Sequence, residues 1–178
     1  MYKRQGITDY WSDKYPQAII EPTVKMWHVG KIEIGEGTYI GHDAILKGYP
    51  YYSAISIRIG KQCWIGDTAY FHGAGGLVIG DRVGIGPGVK ILTSSHDIDG
   101  AGHILDRPLV FKGVTIEDGA DIGAGACILP GVRIGKGAQV GMGSVVTHDV
   151  AHNSVVAGNP ARLIRQRRFE AQILKEAI

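Results

Sequence analysis

The chain is short of several things, and each shortage removes a class of protein. It has two cysteines, Cys63 and Cys127, in 178 residues, too few and too scattered for a metal-ligand cluster. Cys63 reads as a buried thiol, and Cys127 as a surface or contact residue. No apolar run is long enough to span a membrane and no signal-peptide pattern opens the sequence, so the expected location is the cytoplasm. The formal net charge is only +2, which does not point to nucleic acid. There is no Walker A sequence, no dinucleotide fingerprint and no zinc-finger spacing. Aromatic residues make up 8% of the chain, and several gather near the N-terminus, where Tyr2, Tyr10, Trp11 and Tyr15 suggest a cover over one end of a fold.

Glycine, in contrast, is abundant at 27 residues, about twice the usual share. Its placement follows a repeat. Between Val114 and Val150 every sixth residue is aliphatic, as at Ile116, Ile122, Ile128, Ile134, Val140 and Val146. A small or β-branched residue follows four positions later, and glycine follows directly at Gly123, Gly135 and Gly141. A period of six fits neither a helix nor a lone strand. It fits a triangular solenoid, with one short strand and one corner per six residues and three faces per turn. On this reading the glycine after each aliphatic residue lets the chain round the corner. Coils would stack at about 4.8 Å.

The same step is visible at Ile34, Ile40, Ile59, Ile65, Ile79, Ile85 and Ile91, with Thr38, Ala44, Cys63, Ala69, Val83, Val89 and Ser95 in the small inward slots. Phe71 takes another inward slot. Three interruptions stand out. An aromatic bulge carries Tyr49-Pro50-Tyr51-Tyr52, and a glycine-rich insertion carries Gly73, Gly75 and Gly76. The longest is a polar loop at about 96–112. The expected organisation is a cap at 1–21, a β-helix at 22–158 with that loop protruding, and a C-terminal helix at 159–178. Asn159-Pro160 would start the helix as N-cap and N1, and Leu163, Ile164, Phe169, Ile173 and Leu174 would seal the last coil.

A loop grafted on a rigid frame is the usual carrier of function, so the histidines near it are the candidates for chemistry. His96 stands where the wall gives way to the loop, and a neutral imidazole there can take a proton from an alcohol or amine. Its second ring nitrogen needs a partner to fix the tautomer, either a loop carbonyl or an acid such as Asp97 or Asp99. His72 lies one coil earlier, about four positions back along the same face, with a substrate-orienting role or a surface place equally open. His103 reads as a loop-ordering residue; His28, His42 and His152 read as structural or incidental. A zinc site would need three converging imidazoles, which the spacing does not supply.

These residues resemble the hexapeptide-repeat acyltransferases. The resemblance runs over roughly 24–165. It is carried by Ile79-Gly80-Asp81-Arg82-Val83-Gly84-Ile85-Gly86-Pro87-Gly88-Val89, by Thr93 to Asp97, by Gly113 to Arg165, and by the closing Gly158-Asn159-Pro160-Ala161-Arg162. The nearest branch is similar to the sugar and polysaccharide O-acetyltransferases of the galactoside, maltose and nodulation-factor type. The resemblance implies an all-β, left-handed parallel β-helix; the ordinary crossover rule would favour the right-handed sense. It implies a homotrimer, a histidine base at His96 with His72 nearby, and acetyl-CoA as co-substrate with no metal. Gly123, Ala124, Gly141 and Met142 would meet its pantetheine, and Thr147, His148, Arg162 and Arg165 its nucleotide end. Asp97, Tyr70 and Arg107 would hold the acceptor.

The function expected from this is acetyl transfer to a hydroxyl of a sugar or polysaccharide precursor, such as a polysaccharide unit or a lipid-linked sugar, direct in a ternary complex and without a covalent enzyme intermediate. A backbone N–H or a hydroxyl such as Ser144 would stabilise the oxyanion. The alternatives are N-acetylation of a nucleotide-linked amino sugar, a γ-type carbonic anhydrase, and a non-catalytic β-helix scaffold. Two departures from the family pattern leave the acceptor open: the lead before the repeat is short and aromatic, and Ala120-Asp121-Ile122-Gly123 lacks the tryptophan common after the loop.

Overall fold

The computed structural model describes Trp11, residues 13–50 and residues 55–168. Each turn of the chain lays down three strands of two or three residues, and each strand pairs in parallel with the strand one turn before it. Three faces result. The first runs from Ile19–Ile20 through Tyr39–Ile40, Trp64–Ile65, Gly84–Ile85, Asp121–Ile122 and Gln139–Val140 to Ser154–Ala157. The second holds Lys25–Trp27, Ile45–Lys47, Tyr70–His72, Lys90–Ile91, Cys127–Ile128 and Val145–Val146. The third holds Ile32–Ile34, Ile57–Ile59, Leu77–Ile79, Val114–Ile116 and Arg133–Ile134.

The register puts like on like. On the first face Ile40, Ile65, Ile85, Ile122, Val140 and Val156 form one column. On the second the column is Leu46, Phe71, Ile91, Ile128 and Val146. On the third it is Ile34, Ile59, Ile79, Ile116 and Ile134. All of these side chains are buried, and so are the small-slot residues Thr38, Ala44, Cys63, Ala69, Val83, Val89, Ala120, Ala126, Val132, Ala138, Ser144 and Val150. The core is therefore a stack of aliphatic layers along the axis of the prism, with the small residues at the corners. Burial pushes the Cys63 thiol up, in keeping with an inert core residue.

The glycine that follows each aliphatic residue has a different task from the one the repeat suggests. The left-handed turn falls two residues later, at Gly125 and Gly143 (φ 69° and 66°). Gly123 is required by close approach instead: a Cβ there would lie 2.5 Å from the backbone nitrogen of Met142 in the next coil. The coils are too close at the corner to admit a methyl group.

At the start of the solenoid Trp11 and Tyr15 are buried. Trp11 Nε1 donates to the Val24 carbonyl at 3.3 Å, and the Tyr15 hydroxyl reaches the Ile32 carbonyl at 3.0 Å. Burial pushes the Tyr15 phenol up to about 12. Tyr2, Tyr10, Tyr51 and Tyr52 lie outside the described residues.

Two expectations are corrected. Ser95 is exposed rather than inward, because the chain leaves the wall earlier: Ser94–His96 pairs antiparallel with Leu109–Phe111 as the arms of a projecting hairpin. Among the described residues the expected C-terminal helix is absent. The longest helices among the described residues are three-residue 3₁₀ turns. Arg162–Gln166 is a strand, antiparallel to Ser154–Ala157, and Leu163 and Ile164 are exposed. The last parallel strand otherwise offers a row of unpaired backbone groups. Hydrogen bonds to that row outweigh a modest helix propensity. The Gln166 side chain donates to Ser154 Oγ at 3.0 Å and Arg167 N to the Asn153 carbonyl at 2.7 Å. Phe169, Ile173 and Leu174 lie outside the described residues.

The inward and outward positions separate sharply in expected cost. Ile122→Ala should lose about 2–5 kcal/mol of stability, while Asp121→Ala, on the outer side of the same strand, should change it by no more than about 0.5 kcal/mol. Urea unfolding of the two variants checks this, and equal losses would mean the register is wrong.

Candidate active site

The hairpin that carries His96 is fastened to the wall at its root. Thr93, fully buried, donates through Oγ1 to the His72 carbonyl at 2.5 Å and accepts from Gly75 N at 2.8 Å. Its own carbonyl accepts from Lys112 N at 2.9 Å. The two arms are thus tied to the turn that follows His72. Gly75 has to be glycine because a Cβ would meet the Thr93 carbonyl oxygen. The insertion at 73–76 is the seat of the hairpin.

Beyond the root, the hairpin holds itself by one ion pair. Arg107 binds Asp97 Oδ2 at 3.0 Å and also reaches the Asp99 carbonyl. Asp97 N donates to the Pro108 carbonyl at 3.0 Å. The Asp97 carboxylate is therefore engaged by Arg107, and the imidazole turns to a carbonyl: His96 Nδ1 lies 3.2 Å from the Arg107 oxygen. A carbonyl only accepts, so Nδ1 carries the proton and Nε2 keeps its lone pair. That is the tautomer a general base needs, held by the backbone of the hairpin. His103 stands at the exposed start of the short turn Ile104–Asp106.

His72 ends the strand Tyr70–His72 on the second face. Phe71 is level with Ile91, so His72 lies level with Leu92 and His96 is four residues further out along the hairpin. Its Nε2 lies 2.6 Å from the Tyr49 hydroxyl, the two rings meeting edge to face at 4.8 Å. Its Nδ1 is buried, with no hydrogen-bond partner among the described residues. Burial first, and the charge of Lys47 second, hold the His72 pKa below its ordinary value. Tyr49 was visible in sequence only as part of the aromatic bulge. Its partnership with His72 follows from coil stacking, which sets the bulge one turn away from that histidine.

The residues expected to meet the donor divide into groups. Gly123, Ala124, Gly141 and Met142 line a shallow groove of about 520 Å³ with Trp64, Asp121 and Gln139. Bare glycine backbone at Gly84, Gly86, Gly123 and Gly141 leaves the floor low enough for a slim, extended chain such as pantetheine. His148 and Arg162 line another groove, of about 450 Å³; Thr147 Oγ1 is 2.8 Å from His148 Nδ1; Arg165 lines neither groove. Ser144 is buried inside the prism, where its Oγ accepts from Gly158 N at 3.1 Å, so it cannot meet an oxyanion at the surface. Among the described residues no three His, Cys, Asp or Glu side chains form a group that could hold a metal ion, and no helix is long and apolar enough to cross a membrane.

A stacked prism with one histidine-bearing hairpin defines a class, and comparison with known proteins gives its family. Residues 113–148 match the family model described as the hexapeptide repeat of succinyl-transferase. Nodulation protein L of Rhizobium meliloti is 36% identical over 160 residues, covering 86% of this chain and 82% of that one. The chain belongs to the hexapeptide-repeat acyltransferases. A Dictyostelium discoideum protein described as an acetyltransferase is 41% identical over 112 residues, 62% of this chain and 58% of that protein; the match to this and similar relatives spans a little over half their length. Among solved structures, a variant of AntD, an N-acyltransferase from Bacillus cereus in complex with dTDP-4-amino-4,6-dideoxyglucose and coenzyme A, superposes with a TM-score of 0.75 at 23% identity, over 90% of this chain and 86% of that one.

The His72 environment has a pH signature. A histidine whose pKa is lowered on folding contributes stability that is present above its ordinary value of about 6.5 and is lost as the pH falls, because the unfolded chain takes up the proton first. Wild type should therefore lose more stability between pH 8 and pH 5 than His72→Gln does. Thermal melts at both values check it; parallel losses in the two proteins would contradict a half-buried His72 whose pKa is held below its ordinary value.

Proposed function

We propose that the protein transfers an acetyl group from acetyl-CoA to the amine of a nucleotide-linked amino sugar, with His96 as general base. The observation that carries this is the His96 tautomer: Nδ1 is committed to the Arg107 carbonyl, and Nε2 is left as an acceptor. The amine nitrogen attacks the thioester carbonyl carbon in a ternary complex. The carbon–sulfur bond breaks, His96 Nε2 takes the proton from nitrogen, and the imidazolium returns it to the departing thiolate. Neither cysteine has a part, since Cys63 is buried and no covalent enzyme intermediate is required. Gly123, Ala124, Gly141 and Met142 hold the pantetheine, and Thr147, His148, Arg162 and Arg165 lie toward the nucleotide end. His72, kept neutral by its surroundings, orients the acceptor together with Tyr49 and Tyr70. Asp97 and Arg107 act through the hairpin they brace.

The sequence alone puts a sugar hydroxyl first and the amine second. What supports the reverse order is the likeness in shape to AntD, which is described as an N-acyltransferase and holds an amino sugar on dTDP beside coenzyme A. The assembly proposed is a homotrimer. The hairpin supports it by displaying Ile98, Ile104, Leu105 and Leu109 exposed on a projecting arm, an apolar surface that a neighbouring subunit would cover.

Thiol release from acetyl-CoA tests the chemistry. Wild type should turn over faster with a nucleotide-linked amino sugar than with its hydroxyl analogue, and His96→Ala should lose at least about 10²-fold in kcat/KM. Near-wild-type turnover in His96→Ala would remove the base from that position. A preference for the hydroxyl analogue would return the acceptor to an alcohol.

A further inference from the structure

We infer that the outer side of the second face, between Lys25 and Lys90, binds the nucleoside diphosphate of the acceptor. This rests on the acceptor reading above and gives it a place on the molecule. The six strands of that face contain neither Asp nor Glu. Their outward side chains form two rows. One row runs Lys25, Ile45, Tyr70, Lys90, and the other Trp27, Lys47, His72.

The cations in these rows are not neutralised. Among the described residues Lys25, Lys47 and Lys90 have no ion-pair partner. Lys47 instead holds its ammonium between two rings, 5.4 Å from the centre of Trp27 and 5.7 Å from that of Tyr70. Cation–π contact fixes the ammonium in place without cancelling its charge, and the same charge is felt at His72. Trp27 is 45% exposed and Lys25 and Lys90 are exposed. A carboxylate-free face that combines held lysines with an open indole suits a ligand with a flat ring and more than one negative charge.

Direction strengthens the assignment. From Lys25 to Lys90 is three strand steps, roughly 14 Å, enough for a base, a ribose and two phosphates in line. A base stacked on Trp27 leaves the phosphates beside Lys47 and Lys90. The next step past His72 is Leu92, followed by Thr93 and the root of the hairpin. A sugar on the far phosphate is thereby delivered toward His96. Coenzyme A also carries a diphosphate and an adenine, so the test must separate donor from acceptor.

The experiment is calorimetric titration of dTDP and of UDP, each alone, into wild type, Lys47→Gln, Lys90→Gln and Trp27→Ala, with the KM for acetyl-CoA measured alongside. Each substitution should weaken binding of dTDP or UDP about tenfold and leave the acetyl-CoA KM unchanged. Lys90 is exposed on its strand, so its variant keeps the test open if Lys47→Gln folds poorly. Unaltered dTDP and UDP binding in all the variants overturns the assignment, as does an increase confined to the acetyl-CoA KM, which would give the strip to the donor. Acetylation of a free amino sugar as efficiently as its nucleotide-linked form would sink the strip while leaving acetyl transfer intact. Nucleotide binding that depends on these residues in a protein with no transferase activity would uphold the strip and sink the transfer.

Discussion

Everything in this molecule depends on how closely one coil can lie on the next. Parallel strands hydrogen-bond at about 4.8 Å, and at the corners that spacing leaves no room for a side chain. Gly123 meets this limit against Met142, and Gly35 meets it against Gly60, where a Cβ would stand 2.5 Å from the backbone. Glycine at the corner and isoleucine on the wall are thus two halves of one requirement. The corner lets the strands approach, and the approach brings the aliphatic columns into contact along the whole axis.

A frame so tightly stacked can depart from its path only where the stack supplies new partners. The hairpin at 94–111 illustrates this. Its root leaves the wall at Thr93, and the hydroxyl and carbonyl of that residue take hydrogen bonds to His72, Gly75 and Lys112. The glycine-rich turn one coil earlier exists to receive it. The bulge near Tyr49 lies at the same corner another coil back and contacts His72. The three interruptions in the repeat are therefore neighbours in space, although far apart in sequence, and the candidate chemistry collects where they meet.

This explains what the sequence could and could not disclose. The columns were legible because burial is enforced at every sixth position and an apolar side chain stands at each. The place of His96 was legible for a related reason, as the long excursion is conspicuous against a strict period. Ser95 was misjudged because the period was continued one step past the point where Thr93 turns the chain. The end of the chain was misread because Arg162–Gln166 has no internal periodicity to distinguish helix from strand; its conformation is decided by the unpaired edge of Ser154–Ala157, a partner that a local pattern does not contain. The expected donor set was carried by resemblance, and the coils place Gly123, Ala124, Gly141 and Met142 in one groove, His148 and Arg162 in another, and Thr147 and Arg165 in neither. Tyr49 was legible only as part of the bulge, and Lys47 escaped notice, because their significance lies in the residue one coil away.

The outward residues deserve the same treatment as the inward ones. The period of six governs the core, but it also aligns whatever stands on the outer side of each strand, so charges that are scattered in sequence become rows in space. Lys25, Lys47 and Lys90 are separated by about twenty residues or more, and a linear reading of charge finds no cluster there. Stacking brings them onto one face with Trp27 and Tyr70. The strands of that face carry no carboxylate to relieve repulsion among them, and a folded protein that keeps such an arrangement pays for it in stability. An anionic ligand along the strip would relieve that repulsion, so the same alignment that closes the core also determines where a charged acceptor would be held.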